Sequence, residues 1–313
     1  MRVTRGRILV IRGGAIGDFI LTLPAMAALR GQFPEAHLEV LGYPHIAQLA
    51  QYGGLVDRVQ PIEARGLAGF FARRGVLDPA TADYFARFDI IVSYLFDPDD
   101  IFRTNVAACS RAQFLQGPHR PKESGQEHAT KVYLKPLERL AIFDADPVPR
   151  LIKQTVAAAG NACERGLIAA HPGSGSERKN WPEASWEALL ARVLAESPND
   201  VLLVGGEAEG DRLERLAARL STPRVRLARS LPLAELAGLL RFCAAFVGHD
   251  SGITHLAAAL AVPTLALWGH TTEAVWRPQG KRVIIARAEG GLARLPVEQV
   301  WQALGVLLQG AAV

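Results

Sequence analysis

One alternation constrains this chain more than any other feature. Short runs rich in β-branched residues, "RILVIR" (7–12), "HLEVLG" (37–42), "FDIIVSY" (88–94), "GLIAAH" (166–171), "DVLLVG" (200–205), "AAFVGHD" (244–250) and "PTLALWG" (263–269), are separated by longer segments with apolar residues at helical spacing. Parallel strands need such crossover segments, since a tight turn joins only antiparallel neighbours. Helices are expected at 22–33, 182–196, 207–220, 233–242 and 252–260, and the rhythm is broken by Gly, Pro and charge from about Phe70 to Lys135. Midway, "DADPVPRLIKQ" (144–154) carries two prolines within three residues, as a linker would. The expected fold class is α/β: two Rossmann-like, doubly wound domains facing across a cleft, over 1–150 and 151–295. A last amphipathic helix, about Val297–Leu308 in the segment 296–313, has no strand after it.

Composition narrows the function classes. With 313 residues, 49% of them hydrophobic, the chain can bury two cores of ordinary size. Its apolar runs stop well short of the roughly 18 residues that a bilayer span needs, and the arginines near Met1 precede no export signal, so a soluble, cytoplasmic chain is expected. The net charge of +4 is too small and too dispersed for a nucleic-acid partner. Cys109, Cys163 and Cys243 lie far apart, which fits buried thiols better than a disulfide framework or a zinc site.

Three loops repeat one design, in which a strand ends, small residues follow and a helix begins: "RGGAIGD" (12–18), "HPGSGSERKNWPE" (171–183) and "GHDSGITHLAAAL" (248–260). In open α/β sheets ligands gather at the carboxyl ends of strands, where these loops must lie. Small residues let the main chain approach a phosphate, and helix N-termini offer free N–H groups to its oxygens. Gly173, Ser174, Gly175 and Ser176 supply such a surface, and Arg178 and Lys179 add positive charge. Ser251 and Gly252 open a helix whose first turn carries His255. The first loop differs, because its aspartate, Asp18, would repel a diphosphate. Each residue also has a plainer reading: Asp250 as an N-cap, His255 as a core histidine, Trp181 and Trp186 as core anchors. Three such loops at equivalent places in two half-chains favour ligand binding.

The pieces "GDFILTLPAMAALR", "HPGSGSERKNWPEASWEALL", "LLVGGEAEGDRLERLA" and "GHDSGITHLAAALAVPTLALWGHT" together resemble the bacterial lipopolysaccharide heptosyltransferases, glycosyltransferase family 9, over nearly the whole chain. The resemblance implies a GT-B fold, with an acceptor-side N-terminal domain, a C-terminal domain holding the nucleotide-sugar donor, and a last helix returning to the N-terminal domain. It implies Asp18 as catalytic base and Lys179 as a ligand of the donor phosphate. Glu207 or Glu209 would hold the ribose. Leu231 joins the donor-binding positions, and Asp250, Ser251, Gly252 and His255 line the diphosphate and donor sugar. His249 and His270 depart from the family pattern and put the sugar pocket in doubt.

The activity implied is inverting transfer of heptose from ADP-heptose to a lipopolysaccharide-type or related glycolipid acceptor, with no cofactor or metal required. Two other readings keep the nucleotide sugar: an epimerase or hydrolase of the same fold, and a non-catalytic binding protein. Retention of both Asp18 and Lys179 speaks against the last. The segment "ARGLAGFFARRGVL" (64–77) could rest on the inner membrane surface through Phe70, Phe71 and its arginines, or pack as an amphipathic helix on its own domain.

Overall fold

The computed structural model describes residues 6–151, 166–174 and 180–309. The chain divides into two compact units, Met1–Leu151 and Ile152–Val313. In the first, β1 (Arg7–Arg12), β2 (His37–Gly42), β3 (Arg58–Pro61), β4 (Ile90–Ser93) and β5 (Gln113–Gln116) form a sheet of order β3-β2-β1-β4-β5. In the second, β6 (Leu167–His171), β7 (Asp200–Gly205), β8 (Val225–Arg229), β9 (Ala245–His249), β10 (Thr264–Leu267) and β11 (Val283–Ala286) take the order β11-β10-β9-β6-β7-β8. Every pairing is parallel; at the centres Val10 faces Val40 and Val92, and Ala169 faces Leu202 and Phe246. Both sheets are therefore Rossmann-like and doubly wound, the GT-B class. The strand order reverses between β1 and β4 in one and between β6 and β9 in the other, so the three glycine-containing loops all leave strands at these switch points.

Burial explains the interior strands. β1, β2, β7 and β9 are almost wholly inside, and such doubly covered strands read as continuous apolar runs. The four strands without a counterpart in the sequence pattern, β3, β5, β8 and β11, are the four sheet edges. The segment 207–220 is a 3-10 turn, Glu207–Glu209, followed by a helix, Arg212–Leu220, with Gly210 at φ +52 between them. Its positive φ breaks the helical path there.

In the second unit the helix Glu183–Glu196 buries Trp186, Leu189, Leu190 and Val193, a 3.6-residue stripe. Trp181 and Trp186 pack edge to face in the same core, 5.4 Å between ring centroids, so they are core anchors. The terminal helix Val297–Gln309 corrects the expectation that it returns to the first domain. It packs within the second unit, on the helix Glu183–Glu196 and over β9 to β11. The cause is its apolar face: Val300, Leu304 and Leu307 enter that unit's core, each contributing roughly 1.5–3 kcal/mol by burial.

In the first unit the segment 64–77 contains a 3-10 helix, Arg65–Phe71, in place of an amphipathic α-helix. Phe70 is fully buried, with its ring 4.9 Å from that of Phe85, and has no face to offer a lipid. Phe71 stacks at 4.9 Å on Phe102 and stays half exposed. Cys109 and Cys243 are free thiols whose pKa values burial raises, that of Cys243 to about 12; Cys163 lies outside the described residues. No described helix is long and apolar enough to cross a membrane. All five tyrosines lie in the first unit and all five tryptophans in the second.

Candidate active site

The loop after β1 is organised by a charge. Arg12, the last residue of that strand, is almost completely buried. A guanidinium cannot shed its proton, so burial obliges it to find acceptors. Arg12 donates to the carbonyls of His119 (2.8 Å), Asp18 (3.2 Å) and Tyr94 (3.4 Å) and to the hydroxyl of Tyr133 (3.0 Å). It also lies 4.7 Å over the Tyr133 ring. Asp18 sits in the first turn of the short helix Ile16–Ile20, with one carboxylate oxygen 3.7 Å from Arg12 and a side chain 30% exposed. Gly14 turns the chain with φ +98, and a β-carbon there would stand 3.4 Å from Asp18 Oδ2. Thr22 Oγ1 donates to the Asp18 carbonyl at 2.8 Å. The carboxylate is thus fixed at its base and open at its tip, the arrangement a proton acceptor needs.

The loops after β6 and β9 are organised by uncharged groups. His171, at the end of β6, is buried, and burial lowers its pKa to about 4. Its Nδ1 lies 3.3 Å from Ser251 Oγ and its Nε2 3.6 Å from Glu209 Oε1. His249, at the end of β9, is pushed down to about 3 by burial. Ser251 caps the helix Gly252–Ala259, its Oγ accepting from the Thr254 N–H at 3.4 Å. The capping role considered for Asp250 therefore belongs to its neighbour; the Asp250 carboxylate accepts from Thr271 Oγ1 at 2.6 Å. His255 is buried on the first turn of the same helix.

Glu209 and Glu207 part company. The Glu209 side chain is only 5% exposed, and its Oε2 accepts the Gly206 N–H at 2.5 Å. A β-carbon on Gly173 would fall 2.1 Å from Glu209 Oε1, so only glycine lets that carboxylate close in. Glu207 is exposed on the same 3-10 turn. Leu231, just past β8, is half-buried, and Ser174 Oγ donates to Asn180 Oδ1 at 2.7 Å. Gly175, Ser176 and Lys179 lie outside the described residues.

Residues 135–296, just over half of the chain, match the family model described as glycosyltransferase family 9 (heptosyltransferase). The chain belongs to glycosyltransferase family 9. It is 44% identical over 96 residues to lipopolysaccharide heptosyltransferase 1 of Pseudomonas aeruginosa, a match spanning 30% of this chain and 26% of that protein. It is 25% identical over 297 residues to lipopolysaccharide heptosyltransferase 3 of Escherichia coli, spanning 86% and 85%. The solved E. coli heptosyltransferase WaaC with ADP superposes with a TM-score of 0.75 at 20% identity, over 96% of this chain and 99% of that one.

Within this family 9 glycosyltransferase the structure adds residues that motif reading passed over. Arg12 stood out in the sequence only as a charge interrupting an apolar run. His171 closes "GLIAAH" as an ordinary strand end, and Thr271, which holds Asp250, carries no motif at all. A charge or imidazole as the last residue of a doubly buried strand is the signal that could have found Arg12, His171 and His249.

Proposed function

We propose that this glycosyltransferase moves a heptose from ADP-heptose onto a saccharide hydroxyl of a lipopolysaccharide-type glycolipid, with inversion. The observations that carry the reading are a partly exposed, anchored carboxylate at the switch point of one sheet and small-residue loops at the switch point of the other, in a family 9 chain. The second unit holds the donor. Main-chain N–H groups at Gly173, Ser174, Ser251 and Gly252, with Gly175, Ser176 and Lys179, meet the diphosphate, and Asp250 and His255 line the sugar. Glu207 or Glu209 takes the ribose, Glu207 having the exposed carboxylate, and Leu231 borders the nucleotide.

The acceptor hydroxyl gives its proton to Asp18 as its oxygen bonds to the anomeric carbon. The bond from that carbon to the diphosphate breaks, and ADP leaves with its charge met by Lys179 and the loop amides. A positioned base contributes about 10²- to 10⁴-fold, and losing one donor to the leaving group costs on the order of 3 kcal/mol of barrier. The solved relative with ADP supports the nucleotide. The test is a calorimetric screen of nucleotide sugars, then product analysis with a saccharide acceptor. ADP-heptose binding tightest and yielding an inverted glycoside is the expected result; binding of another nucleotide sugar, or release of free sugar alone, would replace this reading.

A further inference from the structure

We infer that His249 is a positioning residue for the donor, its imidazole tying the main chain at Gly173, two residues past β6, to the main chain at Trp181. The ligand named rests on the function proposed above; the geometry does not. His249 Nε2 accepts the main-chain N–H of Trp181 at 2.8 Å, which leaves the proton on Nδ1, and Nδ1 donates to the Gly173 carbonyl 3.2 Å away. One neutral ring thus supplies an acceptor on one side and a donor on the other. The side chain is fully buried, edge-on to Trp186 at 5.4 Å between centroids. Burial holds the pKa near 3, so the ring keeps this protonation state at neutral pH.

The described neck of the loop has a second tie one residue further out, from Ser174 Oγ to Asn180 Oδ1. Arg212 Nη1 fixes its base by donating to the Pro172 carbonyl at 3.0 Å. These bonds fix the main chain at Pro172, Gly173 and Trp181 before any ligand binds, so that no ordering of those residues is left for the ligand to supply. His249 also directly precedes Asp250, and its own carbonyl accepts from Thr254 Oγ1. A single ring therefore sets the loop after β6 against the loop after β9, and an apolar side chain in its place would make neither bond.

The experiment compares His249→Val and His249→Asn in the full chain. Hydrogen exchange of the Trp181 amide is followed without ligand, and ADP and AMP are titrated by calorimetry. In His249→Val the Trp181 amide should exchange about tenfold faster or more, since an opened bond of about 1.4 kcal/mol is a factor of ten. ADP affinity should fall about tenfold while AMP affinity changes less than about twofold, because Gly173 and Ser174 are assigned to the diphosphate. Asn, which offers both an acceptor and a donor, should recover part of each effect. If His249→Val does not fold, His249→Asn carries the exchange comparison, with a smaller acceleration expected.

Unchanged Trp181 exchange, or equal losses for AMP and ADP, would overturn the inference. If the wild-type protein binds neither nucleotide, the proposed donor is wrong, and exchange alone decides the role of His249.

Discussion

At the carboxyl end of β1 the central buried side chain is a guanidinium, whereas at the ends of β6 and β9 the central buried side chains are imidazoles that burial keeps neutral. The guanidinium must be surrounded by oxygens, and its presence favours a carboxylate in the same loop; Arg12 has three carbonyls, a phenol and Asp18. A neutral imidazole can tie main chain to main chain and add no charge. The first arrangement leaves a carboxylate partly exposed, and the second shapes loops without adding charge. Two sheets alike in order over their first five strands differ in the charge of the residue that ends a central strand.

The comparison breaks most sharply at Asp18. Asp18→Asn keeps the size and loses the basicity, so transfer should fall by about 10² or more, with donor affinity from calorimetry unchanged. Loss of donor binding along with turnover would place Asp18 on the donor and erase the division of labour. Next in size is Lys179→Ala, which should slow transfer by on the order of 3 kcal/mol of barrier and weaken nucleoside-diphosphate binding. Lys179→Arg should retain part of both, and unaltered kinetics in the alanine variant would remove this lysine from the site.

Arg12→Ala probes the fold beneath the base. It strips hydrogen bonds from three carbonyls and a phenol, so unfolding in denaturant should show on the order of 2–3 kcal/mol less stability. The loss belongs to the first unit, and donor affinity should stay constant. Residue for residue, the smallest effect is acidic. His171 and His249 have folded pKa values of about 4 and about 3, below the usual 6.5. The unfolded chain therefore takes up protons first, and the stability these rings contribute is intact above pH 6.5 and lost as pH falls toward those values. Between pH 7 and pH 5 the second unit should lose about 2 kcal/mol for each of the two rings. His171→Asn should flatten that slope, and a slope equal to wild type would deny the buried ring its role.

Much of this architecture is legible in the sequence, and the limits have physical causes. The strands found from pattern are those covered on both faces, whose apolar runs cannot be mistaken for loop. The edge strands escape because they are short and partly wet: "RVQP" of β3 is exposed at both ends, and "VRLAR" of β8 carries two arginines. The glycine-containing loops were legible as strand-to-helix connections, because glycine after an apolar run marks a turn. Which of two neighbouring glutamates faces out was not, since a 3-10 turn rather than a helix decides it. Nor was the destination of the last helix: an amphipathic stripe declares that it needs a core but not which one.

The separation of aromatic residues noted above gives each unit its own optical signature. Excitation at the red edge of tryptophan absorption reports only on the second unit, where Trp181 and Trp186 line the core beside His249. Tyrosine emission originates only in the first, where the buried Tyr94 and Tyr133 adjoin Arg12. Loosening around Arg12 and loosening around His249 can then be watched in one cuvette without a label. Energy passing from tyrosine to tryptophan would necessarily have crossed from one unit to the other, so its efficiency is a built-in ruler for any change in the distance between them.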